Sequence, residues 1–323
     1  MDMSKARKGI ESILDNIQTV IYIQREKLEY ILASKIAGGH VILADFHGVG
    51  KTSLARALAG SISWDTTETN KQNVSIDPFS RIQCTVDLLP QDIIGYSRFI
   101  PSRDRMVFME GPLFAHFVLC DEINLLTPKT QGSFFQAMQE QAVTVEGKTY
   151  ELPDPFFIIA TMNLEGVHLF PLPAPQLDRF TIQISLGIPE AEVESEIIQK
   201  HGREDAWRGF GPVISYRELL EWQGLVDDVE IHPDVISYIV EIMRRTRNNP
   251  EVSIGASPRA GIKVSRLARA LALIRGDAYV SIDLVKEILV PAVAHRLVLN
   301  DSTRDVAGFV SGLVESVPVD IRR

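Results

Sequence analysis

Cysteine is scarce in this chain: Cys84 and Cys120 are the two in 323 residues, each inside an apolar, strand-like run. That usage fits small buried hydrophobes in a reducing compartment and argues against a disulfide framework. Long apolar runs are missing too. No stretch approaches the roughly 18 uncharged apolar residues that span a bilayer, and the N-terminus has no signal-peptide core. A cytoplasmic protein without membrane insertion is therefore expected. Positive charge is in deficit, 33 Lys and Arg against 42 Asp and Glu, for a net charge of −9. The deficit argues against nucleic acid or an anionic membrane as a constitutive partner, since both select a basic face, although a basic pore within an assembly is compatible with it. The seven histidines show no metal-ligand spacing, and no Ser/His/Asp or Cys/His pairing stands out, so a nucleophilic hydrolase is not supported. Internal repeats and low-complexity tracts are likewise missing.

What is present is the composition of an ordinary globular protein, 45% apolar and 23% charged, at a length that suits about two domains. Residues 1–37 carry apolar residues at helical spacing: Ile10, Ile13 and Leu14, then Val20, Ile21 and Ile23, then Leu28, Ile31, Leu32 and Ile36. Residues 60–79 read as a loop and Arg81–Thr85 as a strand, while Pro90, Gly95 and Pro101 punctuate an irregular stretch up to Gly111-Pro112. Phe117–Cys120 and Phe156–Thr161 are continuous apolar runs of the length of buried parallel strands, and Phe180–Leu186 is a third strand. Thr130–Glu140 is helical. Ala142–Val145 and Lys148–Leu152 flank Glu146-Gly147, a two-residue hairpin turn. Gly202–Gly211, with mixed charge and three glycines, is the linker candidate. From Ser215 onward the pattern is wholly helical, with Ser257-Pro258 and Pro291 marking helix starts. Strands alternating with helices predict an α/β fold with a parallel sheet between helical layers.

The chemistry concentrates after the first strand. His40–Ala44 runs into a glycine-bearing turn, and the turn opens straight into a helical pattern with Leu54, Ala57 and Leu58. Gly48 and Gly50 let successive N–H groups converge on phosphate oxygens, and the positive end of the following helix adds to them. His47, Gly48, Val49, Gly50, Lys51, Thr52 and Ser53 are the expected nucleotide-binding residues, with Lys51 reaching the β- and γ-phosphates and Thr52 ligating Mg²⁺. The pattern G-x-x-x-x-G-K-[ST] is broken at its first position by Asp45.

Asp121-Glu122 follows the apolar strand, where a doubly wound sheet places its ligands. Asp121 suits a Mg²⁺ held through waters, and Glu122 suits orienting and deprotonating an attacking water. A plain helix cap is the alternative. Asn163 after the next strand could position the same water, or serve only as a turn residue. Arg179 suits the charge of a phosphoryl-transfer transition state, often donated from a neighbouring subunit, against a surface ion pair with Asp178. Arg259 opens a helix as a second phosphate contact, or as a solvated arginine.

Taken in order, the phosphate loop, Asp121-Glu122-Ile123-Asn124, Pro128-Lys129-Thr130-Gln131, Ala137-Met138-Gln139-Glu140, Pro171-Leu172-Pro173, Gln176-Leu177-Asp178-Arg179-Phe180 and Gly255-Ala256-Ser257-Pro258-Arg259 closely resemble the MoxR family of AAA+ ATPases, from about Gly38 to Leu299. The resemblance implies an αβα nucleotide-binding domain on a five-stranded parallel sheet, an all-α C-terminal lid, and assembly as a homo-oligomeric ring, often a hexamer, with ATP or ADP at subunit interfaces. The expected layout is N-terminal helices of the core over 1–37 and a core over 38–201. Within that core lie a helix-2 insert at about 86–112 and a pre-sensor-1 hairpin at about 142–152, both facing the pore in relatives. A linker over 202–214 and a lid over 215–323 complete it. Lys51 and Thr52 fall on Walker A, Asp121 and Glu122 on Walker B, and Asn163 on sensor 1. Arg179 falls on the arginine finger and Arg259 on sensor 2.

Family members are chaperone-like remodellers of partner proteins, often alongside von Willebrand factor A domain proteins. Two departures stand out: Ala44-Asp45 replaces Glu-Gly, bringing a carboxylate towards the phosphates, and Met162 replaces Gln. Either is expected to slow turnover, which keeps a nucleotide-gated scaffold in view beside the ATP-hydrolysing remodeller and a nucleic-acid motor.

Overall fold

The computed structural model describes residues 2–45, 48–65, 69–71, 74–163, 170–201 and 207–318. Its centre is a five-stranded, all-parallel sheet in the order Ile182–Ile184, Val41–Ala44, Phe157–Met162, Ala115–Asp121, Asp77–Gln83. The continuous apolar runs are explained by burial on both faces. Val41, Leu43, Phe117, Leu119, Phe157, Ile159 and Ile182 point into one core, whereas Ile42, Ala44, Val118, Cys120, Ile158 and Ala160 point into the other. The first core is closed by the helices Met3–Gln18, Arg25–Ile36 and Lys51–Gly60, and by the lid helices Pro258–Arg275 and Ile282–Val293. The second is closed by Pro128–Glu140 and the hairpins around it. The N-terminal helices thus share one core with the lid. Both cysteines are free and buried, as composition implied.

Several local expectations are corrected. The stretch expected to be irregular forms a short helix, Pro90–Ile94, and an antiparallel hairpin, Gly95–Ile100 with Arg105–Glu110. Gly95 (φ +95°) and Gly111 mark its base, where an added Cβ would stand 2.4 Å from the Met109 carbonyl or 2.3 Å from that of Ile93. The edge strand begins at Asp77, inside the expected loop, and Ile62–Ser63 pairs in parallel with Ile214–Ser215. The C-terminal region is not wholly helical: Glu230–Ile231 pairs with Tyr279–Val280, and Val252–Ile254 with Val298–Leu299. Pro291 starts no helix but lies in the last turn of Ile282–Val293, where the ladder is about to end. Pro258 does open its helix, behind the Ser257 cap. The Glu146-Gly147 turn has both residues at positive φ, 51° and 79°, as a type I′ hairpin turn needs. The described part of the expected linker packs down, Trp207 and Phe210 edge to face at 5.1 Å and Arg56 over Trp207. Among the described residues, no helix is long and apolar enough to cross a membrane.

One buried cation has a consequence for stability. The Lys35 ammonium donates to the Phe156 carbonyl at 3.3 Å and lies over the Phe157 ring. Burial lowers its pKa from 10.5 to about 7, against the pull of Asp154, and Lys263 is lowered to about 7 as well. Between those values and 10.5 the unfolded chain binds more protons than the native one, so stability rises with pH over this window. Below about pH 7 both states are protonated and the gain is gone. Lys35→Met is expected to flatten the rise in unfolding free energy between pH 7 and 10, read from urea titrations, with Lys263 supplying the remainder. An unchanged slope would place the Lys35 ammonium in water.

Candidate nucleotide site

Parallel pairing brings the carboxyl ends of the strands to one edge of the sheet, and the candidate residues collect there. After Val41–Ala44 the chain turns through Gly48 (φ +84°) and Gly50 (φ +86°), conformations that a side chain would strain. Gly50 is the N-cap of the helix Lys51–Gly60, so Lys51, Thr52 and Ser53 carry that helix's first free N–H groups. Lys51 is 9% exposed and its ammonium donates to the Asp45 carbonyl at 2.9 Å. Gly48, Gly50, Lys51, Thr52, Ser53, Arg81, Gln83, Asp121 and Glu122 line one cleft of about 430 Å³. Val49 lies within the same turn, and His47 lies outside the described residues.

The acidic pair is fixed from the neighbouring strand. The Thr161 hydroxyl donates to Asp121 Oδ1 at 2.8 Å and accepts the Glu122 N–H at 2.8 Å. Glu122 itself sits in left-handed backbone (φ +59°, ψ 54°), a strained conformation for a residue with a side chain and one that clusters at functional sites. It precedes a single 3-10 turn, Ile123–Leu125, and makes no side-chain cap bond, which disfavours the helix-cap alternative. Asn163 follows the strand Phe157–Met162, and its carbonyl accepts from Asn124 Nδ2 at 2.8 Å. Oxygen donors of this kind, the Thr52 hydroxyl and the Asp121 carboxylate, fit Mg²⁺. Among the described residues no group of three or more His, Cys, Asp or Glu forms a metal cage.

The two arginines lie elsewhere. Neither Arg179 nor Arg259 is among the described residues lining the cleft. Arg179 donates to Gln139 Oε1 at 3.1 and 3.3 Å and lies over the Phe135 ring. Its pKa is lowered by burial and then by the nearby charge of Arg259. The ion pair with Asp178 that was the alternative reading gives way to lid contacts: Asp178 accepts from Arg296 at 2.8 Å and from the Ser257 hydroxyl at 2.9 Å. Lys263 donates to the Arg179 carbonyl and Arg296 to that of Phe180. The segment bearing Arg179 is thus clamped by the helix that Arg259 opens. Burial and Arg296 lower Lys263, and burial lowers Arg296 to about 10 despite Asp178.

Asp45 overturns the reading of its sequence context. It is 4% exposed and its carboxylate turns away from the phosphate turn, accepting from Ser185 Oγ (2.5 Å), Leu186 N (2.7 Å) and Gly187 N (3.2 Å). It ties the start of the phosphate loop to the exit of the last strand. Its backbone is not left-handed, so this position needs no glycine. Arg81 was missed by sequence reasoning: from the edge strand it donates to Asp121 Oδ2 at 2.6 Å and to Gln83 Oε1 at 2.8 Å.

A glycine-bearing turn from strand to helix, an acidic strand end on a five-stranded parallel sheet and a C-terminal helical lid are the architecture of the AAA+ class. The family profile described as "ATPase family associated with various cellular activities (AAA)" matches residues 40–182, and an "AAA lid domain" profile matches 244–308. YeaC of Bacillus subtilis is 35% identical over 96% of this chain and 94% of its own length. Chaperone MoxR1 of Mycobacterium tuberculosis is 34% identical over 90% of this chain and 76% of its own. A solved structure from Cytophaga hutchinsonii, described as a candidate ATPase, superposes with a TM-score of 0.87 at 28% identity, over 99% of this chain and 97% of that one. The chain belongs to the MoxR family of AAA+ ATPases.

Asp45→Gly would leave the Leu186 and Gly187 N–H groups and the Ser185 hydroxyl without their acceptor. Loss of such a buried acceptor costs about 1–3 kcal/mol. Thermal melting should fall and nucleotide affinity, read by calorimetry, should weaken with it. Tighter nucleotide binding by Asp45→Gly would restore the electrostatic brake that the sequence context suggested.

Proposed function

We propose that this protein hydrolyses ATP with Mg²⁺ at the interface between copies of itself in a ring, and uses the cycle to remodel partner proteins. The observation that carries the hydrolytic part is the Glu122 backbone, held left-handed beside Asp121 by the one hydroxyl of Thr161. In this reading Lys51 and the turn N–H groups hold the phosphates, and Thr52 and Asp121 hold Mg²⁺, which neutralises phosphate charge. Glu122 takes the proton of the attacking water while Asn163 orients it. Family membership supports the ring, and the relative named a chaperone supports remodelling. Von Willebrand factor A domain proteins are the client class that family likeness suggests.

The placement of Arg179 and Arg259 supports an interface. Arg179 sits on the segment that the lid clamps and Arg259 on the clamping helix Pro258–Arg275. Beyond burial, Arg259 lowers the Arg179 pKa and both lower that of Lys263, and the Asp178 carboxylate is hydrogen-bonded by Arg296 and Ser257. We assign both to the nucleotide of a neighbouring copy. Glu122→Gln is expected to bind ATP within a few-fold of wild type and to hydrolyse it about 10²–10⁴-fold more slowly, since the amide cannot take a proton. Lys51→Ala is expected to lose most ATP binding. Unchanged turnover in Glu122→Gln would favour the scaffold, and unchanged binding in Lys51→Ala would remove the phosphate-loop assignment.

A further inference from the structure

Arg81 plays no part in the roles assigned above, yet it lines the same cleft as Lys51 and Thr52. It stands on the edge strand, where register places Gln83 opposite Asp121, and its guanidinium reaches Asp121 Oδ2 at 2.6 Å. The other carboxylate oxygen, Oδ1, accepts from Thr161. Asp121 is only 13% exposed, while Arg81 is 47% exposed. Next to Glu122, this enclosed carboxylate has Arg81 as its ion-pair partner among the described residues. Another cation is what can take its place beside the carboxylate.

We infer that Arg81 is a built-in counter-ion of Asp121 that competes with Mg²⁺ for the same carboxylate, setting how strongly nucleotide binding depends on the metal. The inference rests on the nucleotide reading of the cleft. When nucleotide binds without metal, Arg81 offsets the repulsion between Asp121 and the phosphates. When Mg²⁺ is present, Arg81 must yield Oδ2, which raises the metal concentration needed. Both effects lower the metal dependence relative to a site without the arginine.

The test is an equilibrium titration of a fluorescent ADP analogue, in EDTA and across a Mg²⁺ series, with wild type and the variants Arg81→Ala, Arg81→Gln and Arg81→Lys. Exposed ion pairs are worth little, so the expected effects are modest. In Arg81→Ala and Arg81→Gln the Mg²⁺ midpoint should fall about two- to fivefold and the affinity in EDTA should fall by a similar factor. Arg81→Lys, which keeps the charge, should stay near wild type. Arg81→Gln guards against a cleft that merely collapses, since it retains a polar, hydrogen-bonding side chain without the charge. A midpoint that is unchanged or raised in both neutral variants would overturn the inference. So would an equal loss of affinity with and without metal, which would make Arg81 a phosphate contact or a structural pair. A wild-type protein that binds the analogue under neither condition would overturn the nucleotide reading and this inference with it.

Discussion

Everything in the site depends on five parallel strands that end together, the central three of them buried on both faces. Because the three central strands are apolar above and below, the sheet is a middle layer, and its crossovers return the chain to the same edge. Val41–Ala44 lies between Ile182–Ile184 and Phe157–Met162, so three strand exits crowd one point. The phosphate turn, the acidic pair and Asn163 each stand at the carboxyl end of a strand of that register. Thr161 shows how tight the arrangement is, since one hydroxyl from the adjacent strand fixes both Asp121 and Glu122. Asp45 does the complementary job by pinning the start of the turn to the exit of the last strand.

The second organising contact joins core to lid. Asp178 is held by Ser257 and Arg296, and the carbonyls of Arg179 and Phe180 accept from Lys263 and Arg296. Cations outnumber carboxylates there, and burial lowers the pKa values of Lys263 and Arg296. Arg179 and Arg259 are the arginines of this group that stay accessible to solvent. A displacement of the lid helix Pro258–Arg275 would carry the Arg179 segment with it, because Lys263 sits on that helix and holds the Arg179 carbonyl directly.

The sequence made the buried strands legible because their apolar runs are uninterrupted, and it made the turn chemistry legible because Gly48, Gly50 and Glu146-Gly147 each require special backbone. The lid and the ring came from family likeness rather than from pattern. What pattern could not show was polar structure with distant partners. Asp45 was misread because the donors to its carboxylate lie some 140 residues away, and the local context offered only the phosphates. Arg81 was read only as part of a strand, since nothing in Arg81-Ile82-Gln83 announces Asp121 across the register. The hairpin Gly95–Glu110 stayed hidden because it exposes residues on both faces, among them Tyr96, Phe99 and Met106, which erases period-two alternation. Pro291 misled because a proline in a last helical turn is spelled like one at a first.

The central claim is that one copy supplies Glu122 and its neighbour supplies Arg179 to the same phosphates. Mixing Arg179→Ala protein with Glu122→Gln protein tests it most directly. At a mixed interface the first variant keeps its base and the second lends the arginine, so ATP hydrolysis should reappear, rise with protein concentration, and be negligible for either protein alone. Arginine fingers are worth about 10³–10⁵ in rate, so the rescue should stand well above background once subunits exchange. Near-wild-type hydrolysis by Arg179→Ala alone, or a dead variant that mixing never revives in a demonstrably mixed assembly, would contradict the account.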